Sequence, residues 1–514
     1  MYPPVTHADP AFLEIFHHLF SAVAEDMGET LAKTAHSVNI KERRDFSCAV
    51  FDAQGNLIAN APHVPVHLGS MGASVQAVLT SGLSMNPMDA FVTNDPYHGG
   101  THLPDITVIT PVFIEGTVRY FVASRGHHAD VGGITPGSMP ANSVHIDEEG
   151  VLIPPQKLVD QKTFQTDKMQ ALFSNARYPA RNIPQNLADL RACVAANRAG
   201  VKAMRDIVDS YGPKTVDAYM GFILENAQNH VASVLHHQAP GSATITHDNG
   251  CIVTVKVTPN PATKRLRIDF SGTSPAGQHN LNAPLAITRA CVLYVLRSLV
   301  SEDIPLNDGC LRAVDLVVPE GSLLNPPYPH AVSAGNVETS QMIVDALLLA
   351  LGVQAASHGT MNNISFGNKI YQYYETLAGG GGAGPDFNGS TGYQCHMTNS
   401  RLTDVEILEQ RFPVRVWELS VAENTGGAGE YCGGDGIRRD LEFLEPLDVS
   451  LITNNRQKAP KGFGGGKDGQ SGVNIHQPAG KPTTILVGCC HLSVQTGDHI
   501  IIQTPGGGGW GTKD

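Results

Sequence analysis

Two short segments hold the side chains best suited to chemistry. In NDPYHGGTHLPDITVITP (residues 94–111), His102 and Asp105 stand three apart, after a Gly-Gly turn and at the start of a β-branched run. In SRGHHADVGG (124–133), His127, His128 and Asp130 close a second such run, before a Gly pair. Two strand ends carrying imidazole and carboxylate can converge on one divalent cation, and that donor mix suits Zn, Mn or Fe rather than Ca or Mg alone. Asp95 and Asp130 are candidates for the outer carboxylates that orient ligating imidazoles. The competing reading makes these residues loop caps that satisfy turns, and among 22 histidines any single one fits that reading better. Their clustering in glycine-rich strand-end loops speaks for a metal, and spacing alone leaves both open.

Other candidates are less specific. Glu42 and Asp45 lead into a strand in IKERRDFSCAVFD. They form either a solvated charge group with Arg43 and Arg44, or an inward Asp45 acting as a further ligand or base. His63 and His67, near a glycine turn in HVPVHLGSMG, form a weaker set. Four glycine tracts (375–385, 423–439, 462–469 and 504–511) raise the question of phosphate binding. Gly466-Lys467 is followed by Asp468, and the first glycine of a Walker loop is replaced by Lys461, so that pattern fails. No G-x-G-x-x-G opens a helix after a strand, and there is no G-x-S-x-G or H-E-x-x-H. The tracts are expected to serve tight turns and close backbone packing, and the chain is not expected to bind ATP by itself.

The elements that must position these residues follow from periodicity. Residues 11–37 repeat apolar positions (Phe12, Ile15, Phe16, Leu19, Phe20, Val23, Met27) at helical spacing. SCAVFDAQGNLIAN reads as a hairpin, and AFVTND, ITVITPVFI and TVRYFVAS as three strands between 90 and 130. Residues 185–238 read as helical, with breaks near Gly200 and at Tyr211-Gly212-Pro213. A β-meander follows, with turns at Asp248-Asn249-Gly250 and around 259–262, then buried helices at 284–300 and 338–357 and short strands in DLEFLEP, VSLITN, TTILVG and HIIIQTP. The sequence predicts an α+β class: a large mixed fold with several β-sheets, buried helices and glycine-rich loops. It divides into a metal-site domain (1–240), a β-meander plus buried helix (241–335) and a glycine-rich C-terminal α+β region (336–514).

Composition removes several function classes. Charged residues make up 16% of the 514 and glycine contributes 53, the reverse of a disordered chain. The net charge of −13 opposes nucleic-acid binding, which needs a basic face. No apolar run reaches the roughly 18–20 residues that span a bilayer. The N-terminal segment lacks the basic and apolar regions of a signal peptide, and nine cysteines without a C-x-x-C pair read as reduced thiols, so a cytoplasmic location is expected. The sparse charge fits either a large, deeply buried fold or a subunit whose surface is covered by partners.

Taken together, NDPYHGGTHLPDITVITPVF, GHHADVGGITPGSMP, DIPLNDGC, NVETSQ, HGTMNN, MTNSRLTDVEILEQRFPV and GGDGIRR resemble the hydantoinase B family, which also forms the C-terminal half of large 5-oxoprolinases. The resemblance runs from about residue 10 to 511. It implies an enzyme that works in a hetero-oligomer with a hydantoinase A-type subunit, which binds ATP with Mg and phosphorylates the carbonyl of a cyclic amide such as 5-oxoproline, a hydantoin or a lactam. It implies a Zn or Mn centre here, held by His102, Asp105 and His127 (His128 as the alternative), with Asp45 as a fourth ligand. Asp45 or Glu42 would be the base. The chain begins at the B-type half, so no ATPase activity is expected of it alone. A ketone-carboxylase subunit and a non-catalytic scaffold for the A-type subunit are the alternatives. The stretches around DIPLNDGC, NVETSQ and LTDVEILEQRFP resemble oxoprolinases most.

Overall fold

Helix α1 (Pro10–Thr34) starts where Asp9 accepts hydrogen bonds from the Ala11 and Phe12 N–H groups and Pro10 presets the first turn. Its stripe of Phe16, Phe20, Val23, Met27 and Leu31 is buried, whereas Phe12 and Ile15, counted in the apolar pattern, stay exposed. The helix stops short of residue 37, because Ser37 caps a separate short helix, α2 (Val38–Lys41). The computed structural model describes residues 6–260, 262–263 and 265–513, so the expected turn at 259–262 and the N-terminal segment lie partly outside the described residues.

The expected hairpin is β1 (Phe46–Asp52) and β2 (Leu57–Asn60), joined by a turn in which Asp52 accepts from the Gln54 and Asn56 N–H groups. They belong to an antiparallel seven-stranded sheet with β3 (Ala90–Thr93), β4 (Asp105–Ile114), β5 (Thr117–His127), β6 (Gln156–Asp160) and β7 (Thr163–Phe164), in the order β2-β1-β5-β4-β3-β6-β7. Successive side chains alternate between the two faces. Cys48, Val50, Val108 and Val122 pack with Phe20, Met27 and Leu190, while Ala49, Phe51, Ile109, Phe121 and Ala123 pack with Leu68, Met71 and Val75. The second face is covered by α3 (Pro65–Thr80), a helix over residues expected to form a glycine turn. Its glycines are packing devices: a Cβ on Gly69 would lie 2.6 Å from the Ala290 Cβ of α7 (Leu285–Ser298).

Helices α4 (Thr166–Ser174), α5 (Ile183–Tyr211) and α6 (Pro213–Leu235) follow the sheet. The break expected near Gly200 does not occur. Gly200 lies inside α5 because a side chain there would press into Met27 of α1, its Cβ 2.9 Å from the Met27 Cγ. The break at Gly212-Pro213 is present, with Gly212 at φ +79°.

The meander is β8 (Gly241–Thr246), β9 (Ile252–Asn260) and β10 (Arg265–Asp269), extended by β11 (Val314–Val317) parallel to β10. Its core is shared with α7 and with α8 (Ser340–Leu351), which a π-helical turn, Gly335–Thr339, precedes and Gly352 ends. The C-terminal strands β12 (Asn363–Gly367), β13 (Gln372–Glu375), β14 (Val414–Ala422), β15 (Gly436–Phe443), β16 (Leu447–Ile452), β17 (Val473–Gln477), β18 (Thr484–Leu486), β19 (Cys489–Val494) and β20 (His499–Gln503) build two more sheets. Their orders are β13-β12-β16-β19 and β14-β15-β20-β17-β18, with helix α9 (Val405–Arg411) beside β14. The glycine tracts pack backbone on backbone: the Gly433 N–H donates to the Gly427 carbonyl, and that of Gly507 to Gly434. The architecture is the mixed α+β class that the sequence predicts. Among the described residues no helix is long and apolar enough to cross a membrane.

Candidate metal centre

The alternation of β-strand side chains decides which candidates meet. Odd-numbered residues of β1, β4 and β5 face α3, and the register pairs Asp105 with His127 at one end of the sheet. Asp45, Ser47, Asp105, Arg125 and His127 therefore share one face, and His128 faces the other way. The loop before β4 supplies His102. Asp95 accepts from the Tyr97 N–H and pairs with His98, and Gly99, at φ +92°, runs against α3 so closely that a Cβ would fall within 2.5 Å of three Ala73 and Ser74 backbone atoms. Arg125, fully buried, ties this loop to α3: it donates to Ser70 (2.5 Å), Ser74 (2.8 Å) and the Gly99 carbonyl (3.3 Å).

At the centre, Asp105 Oδ1 lies 3.1 Å from His102 Nε2 and 3.0 Å from His127 Nδ1, and the two nitrogens are 3.3 Å apart. Two donors held about 2.1 Å from one ion at angles of about 90–110° are separated by about 3.0–3.4 Å, so the three atoms fit adjacent positions on a single Zn or Mn ion. Asp105 Oδ2 accepts from Thr101 (2.6 Å), lies 3.1 Å from His67 Nε2 and takes a long contact from Asn336 (3.5 Å). Burial would raise the Asp105 carboxyl, but His102, His67 and His127 hold it well below the usual range, so it is charged. Burial lowers the His127 pKa against the pull of Asp105 and Asp45 and favours the neutral ring that ligation requires. The outward nitrogens, His102 Nδ1 and His127 Nε2, are buried without a hydrogen-bond partner. Tyr374 of β13 stacks on His127, with ring centroids 4.6 Å apart and planes 15° from parallel.

The remaining candidates separate. His128 packs against α5, its Nδ1 3.2 Å from Asn186 Nδ2, and burial lowers its pKa to about 4. The Asp45 carboxylate faces the same side as the cluster, 3.6 Å from the fully buried Arg43, but does not join the three-residue donor set; its carbonyl accepts the His127 N–H. Glu42 is not brought to the centre: it pairs with Arg411 at 3.4 Å. Asp95 and Asp130 organise loops instead of orienting the imidazoles of His102 and His127, Asp95 pairing with His98 and Asp130 accepting from Gly132, Gly137 and Arg181. His63 accepts the Cys48 N–H, and burial drives its pKa to about 4. His67, ranked low from its spacing, contacts the central carboxylate from the first turn of α3. Tyr374 carries no local signal and Asn336, though it opens the NVETSQ motif, none that ties it to the centre, since chain segments more than 200 residues away deliver them.

Comparison with known proteins places the chain in a family. A plant relative, 5-oxoprolinase 1 of Arabidopsis thaliana, is 46% identical over 531 residues, covering 98% of this chain and 42% of that protein. The chain thus spans about two fifths of that relative's length. The crystal structure of an ATP-dependent caprolactamase from Pseudomonas jessenii superposes with a TM-score of 0.89 at 24% identity, covering 99% of this chain and 92% of that one. A nucleotide-free acetone carboxylase gives 0.87 at 19%, covering 98% and 76%. At these identities the two structures establish likeness of fold. A sequence profile described as Hydantoinase B/oxoprolinase matches residues 9–513, and with the plant relative it shows that the chain belongs to the hydantoinase B/oxoprolinase family.

Proposed function

We propose that this chain is the B-type, ring-opening part of an ATP-dependent cyclic-amide hydrolase of the 5-oxoprolinase, hydantoinase and lactamase kind. The observation that carries the reading is the buried His102–Asp105–His127 donor set. The identity to a 5-oxoprolinase supports 5-oxoproline as the first substrate to test. In this reading an A-type partner subunit with ATP and Mg phosphorylates the amide oxygen, which removes the resonance that protects the ring. Water then adds at the same carbon and the C–N bond opens to a free amine and an acyl phosphate, which a second water hydrolyses to the carboxylate and phosphate.

His102, Asp105 and His127 would hold Zn or Mn, which when bound supplies Lewis acidity at a reacting oxygen. The protein's own contribution is orientation and charge. Asp105 would balance the charge of a bound ion in this buried site, and His67 and Thr101 fix that carboxylate. Asp45 is the nearest further carboxylate on that sheet face and the candidate base, a role worth about 10²–10⁴-fold. Its partner Arg43 is held by Tyr374 O, Thr376 and Ser400, so the C-terminal half fixes its position. The nine unpaired cysteines fit a cytoplasmic enzyme.

Co-expression with an A-type subunit, followed by assay of ATP hydrolysis against 5-oxoproline, hydantoin, caprolactam, and acetone with bicarbonate, tests the proposal. Turnover with a cyclic amide that is lost in His102→Ala supports it. Turnover confined to acetone with bicarbonate points to a ketone carboxylase, and unchanged turnover in His102→Ala points to a scaffold.

A further inference from the structure

His127 is held unusually for a metal-ligating imidazole. Its outward Nε2 meets no hydrogen-bond partner, so the carboxylate or carbonyl that ordinarily fixes such a ring is missing. The ring plane is set instead by the Tyr374 stack. That shifts the question to what fixes Tyr374. Its hydroxyl donates to Asn363 Oδ1 at 2.8 Å. The Asn363 amide donates through Nδ2 to Glu338 Oε1 (2.7 Å) and to the Ile452 carbonyl (2.7 Å). Both partners of Nδ2 are acceptors, so the amide has one workable orientation, with Oδ1 towards Tyr374. Every member of this chain is buried.

Glu338 lies on the π-helical turn Gly335–Thr339, a distortion that recurs at functional sites. Two residues earlier on that turn, Asn336 reaches Asp105. One turn of backbone therefore touches the centre directly on one side and through Asn363 and Tyr374 on the other. Glu338 Oε1 also accepts the Met361 N–H at 3.2 Å, and the Thr360 hydroxyl and the Arg456 charge act on the same buried carboxyl.

Resting on the metal reading above, the geometry points to Glu338 as a positioning residue for the metal centre, acting through Asn363 and Tyr374 to fix the His127 ring. Removing the Oε1 acceptor leaves the Asn363 amide held by the Ile452 carbonyl alone, which loosens its hold on the Tyr374 hydroxyl and with it the stack on His127. Glutamine keeps a carbonyl acceptor in place and preserves the chain.

Cobalt(II) titrated alone into the purified full chain, with its visible absorption followed, tests this without turnover. The wild-type chain is expected to bind one ion with ligand-field bands. Glu338→Leu is expected to weaken binding about 10–100-fold and to change the band envelope. Tyr374→Phe, which keeps the ring and removes only the hydroxyl, should change the envelope in the same way. Glu338→Gln should restore both readouts, and the Glu338→Leu/Tyr374→Phe double variant should be no worse than the poorer single one. Wild-type affinity and spectrum in folded Glu338→Leu overturn the proposal. Should that variant not fold, an unchanged spectrum in Tyr374→Phe overturns it. Absence of cobalt binding by the wild-type chain overturns the metal reading itself, and the positioning role falls with it.

Discussion

Gly99 offers a test of how the fold builds the centre, three residues before His102. Its φ of +92° is unfavourable for any residue with a Cβ, and alanine there costs about 1 kcal/mol from backbone strain alone. A Cβ would also fall within 2.5 Å of Ala73 C, Ala73 O and Ser74 N, all backbone atoms of α3 that cannot rotate aside. Relief requires the loop to lift by about 1 Å, at an overpacking cost of about 1–3 kcal/mol. That movement would strain the bonds that Ser74 and Arg125 give to the Gly99 carbonyl. Gly99→Ala should therefore lose about 2–4 kcal/mol. Gly82 is the matched control: it has φ +73°, and a Cβ there meets nothing within 4 Å, so Gly82→Ala should lose only the strain of about 1 kcal/mol. Urea unfolding followed by circular dichroism measures the stabilities, and elemental analysis measures metal content. Gly82→Ala should keep its metal, and Gly99→Ala should lose most of it. Equal destabilisation of the two variants, with full metal in both, would refute the claim that contact with α3 sets the position of His102.

Other consequences follow from the same geometry. His127→Ala should abolish metal binding while His128→Ala keeps it and loses only stability, as elemental analysis and urea unfolding will show. Arg43→Met should cost about 3–5 kcal/mol in urea unfolding, because it strands Asp45 and several buried acceptors without their cation. His63 is buried with a pKa of about 4 against 6.5 unfolded, so its neutral form contributes fully above pH 6.5 and that contribution drains away as the pH falls towards 4. Between pH 6.5 and 5 the chain should lose about 1–2 kcal/mol more stability than His63→Gln does, measured as the pH dependence of unfolding.

How much of this was legible beforehand depends on how local each signal is. His102, Asp105 and His127 stood out because two Gly-bounded strand ends fall within one stretch of sequence, and antiparallel pairing brings them together. The choice between His127 and His128 was not legible, because it depends on which sheet face meets α3. That helix hid behind Gly69 and Gly72, whose low helix propensity is outweighed by close packing on its neighbours. Gly200 misled for the same reason. Glu42 looked available as a base because its partner, Arg411, lies 369 residues on. Tyr374, Asn336 and Glu338 reach the centre only through tertiary structure; Asn336 and Glu338 lie in the NVETSQ motif, but nothing local in it shows that the fold brings it to the strand ends.

Everything proposed for this chain turns on whether His102, Asp105 and His127 hold one divalent transition metal ion. Elemental analysis of the purified chain beside His102→Ala, after loading with Zn or Mn and exhaustive dialysis, measures it most directly. Close to one ion per wild-type chain and almost none in a folded His102→Ala are expected. No bound metal in the wild-type chain, or equal metal in both, would contradict it.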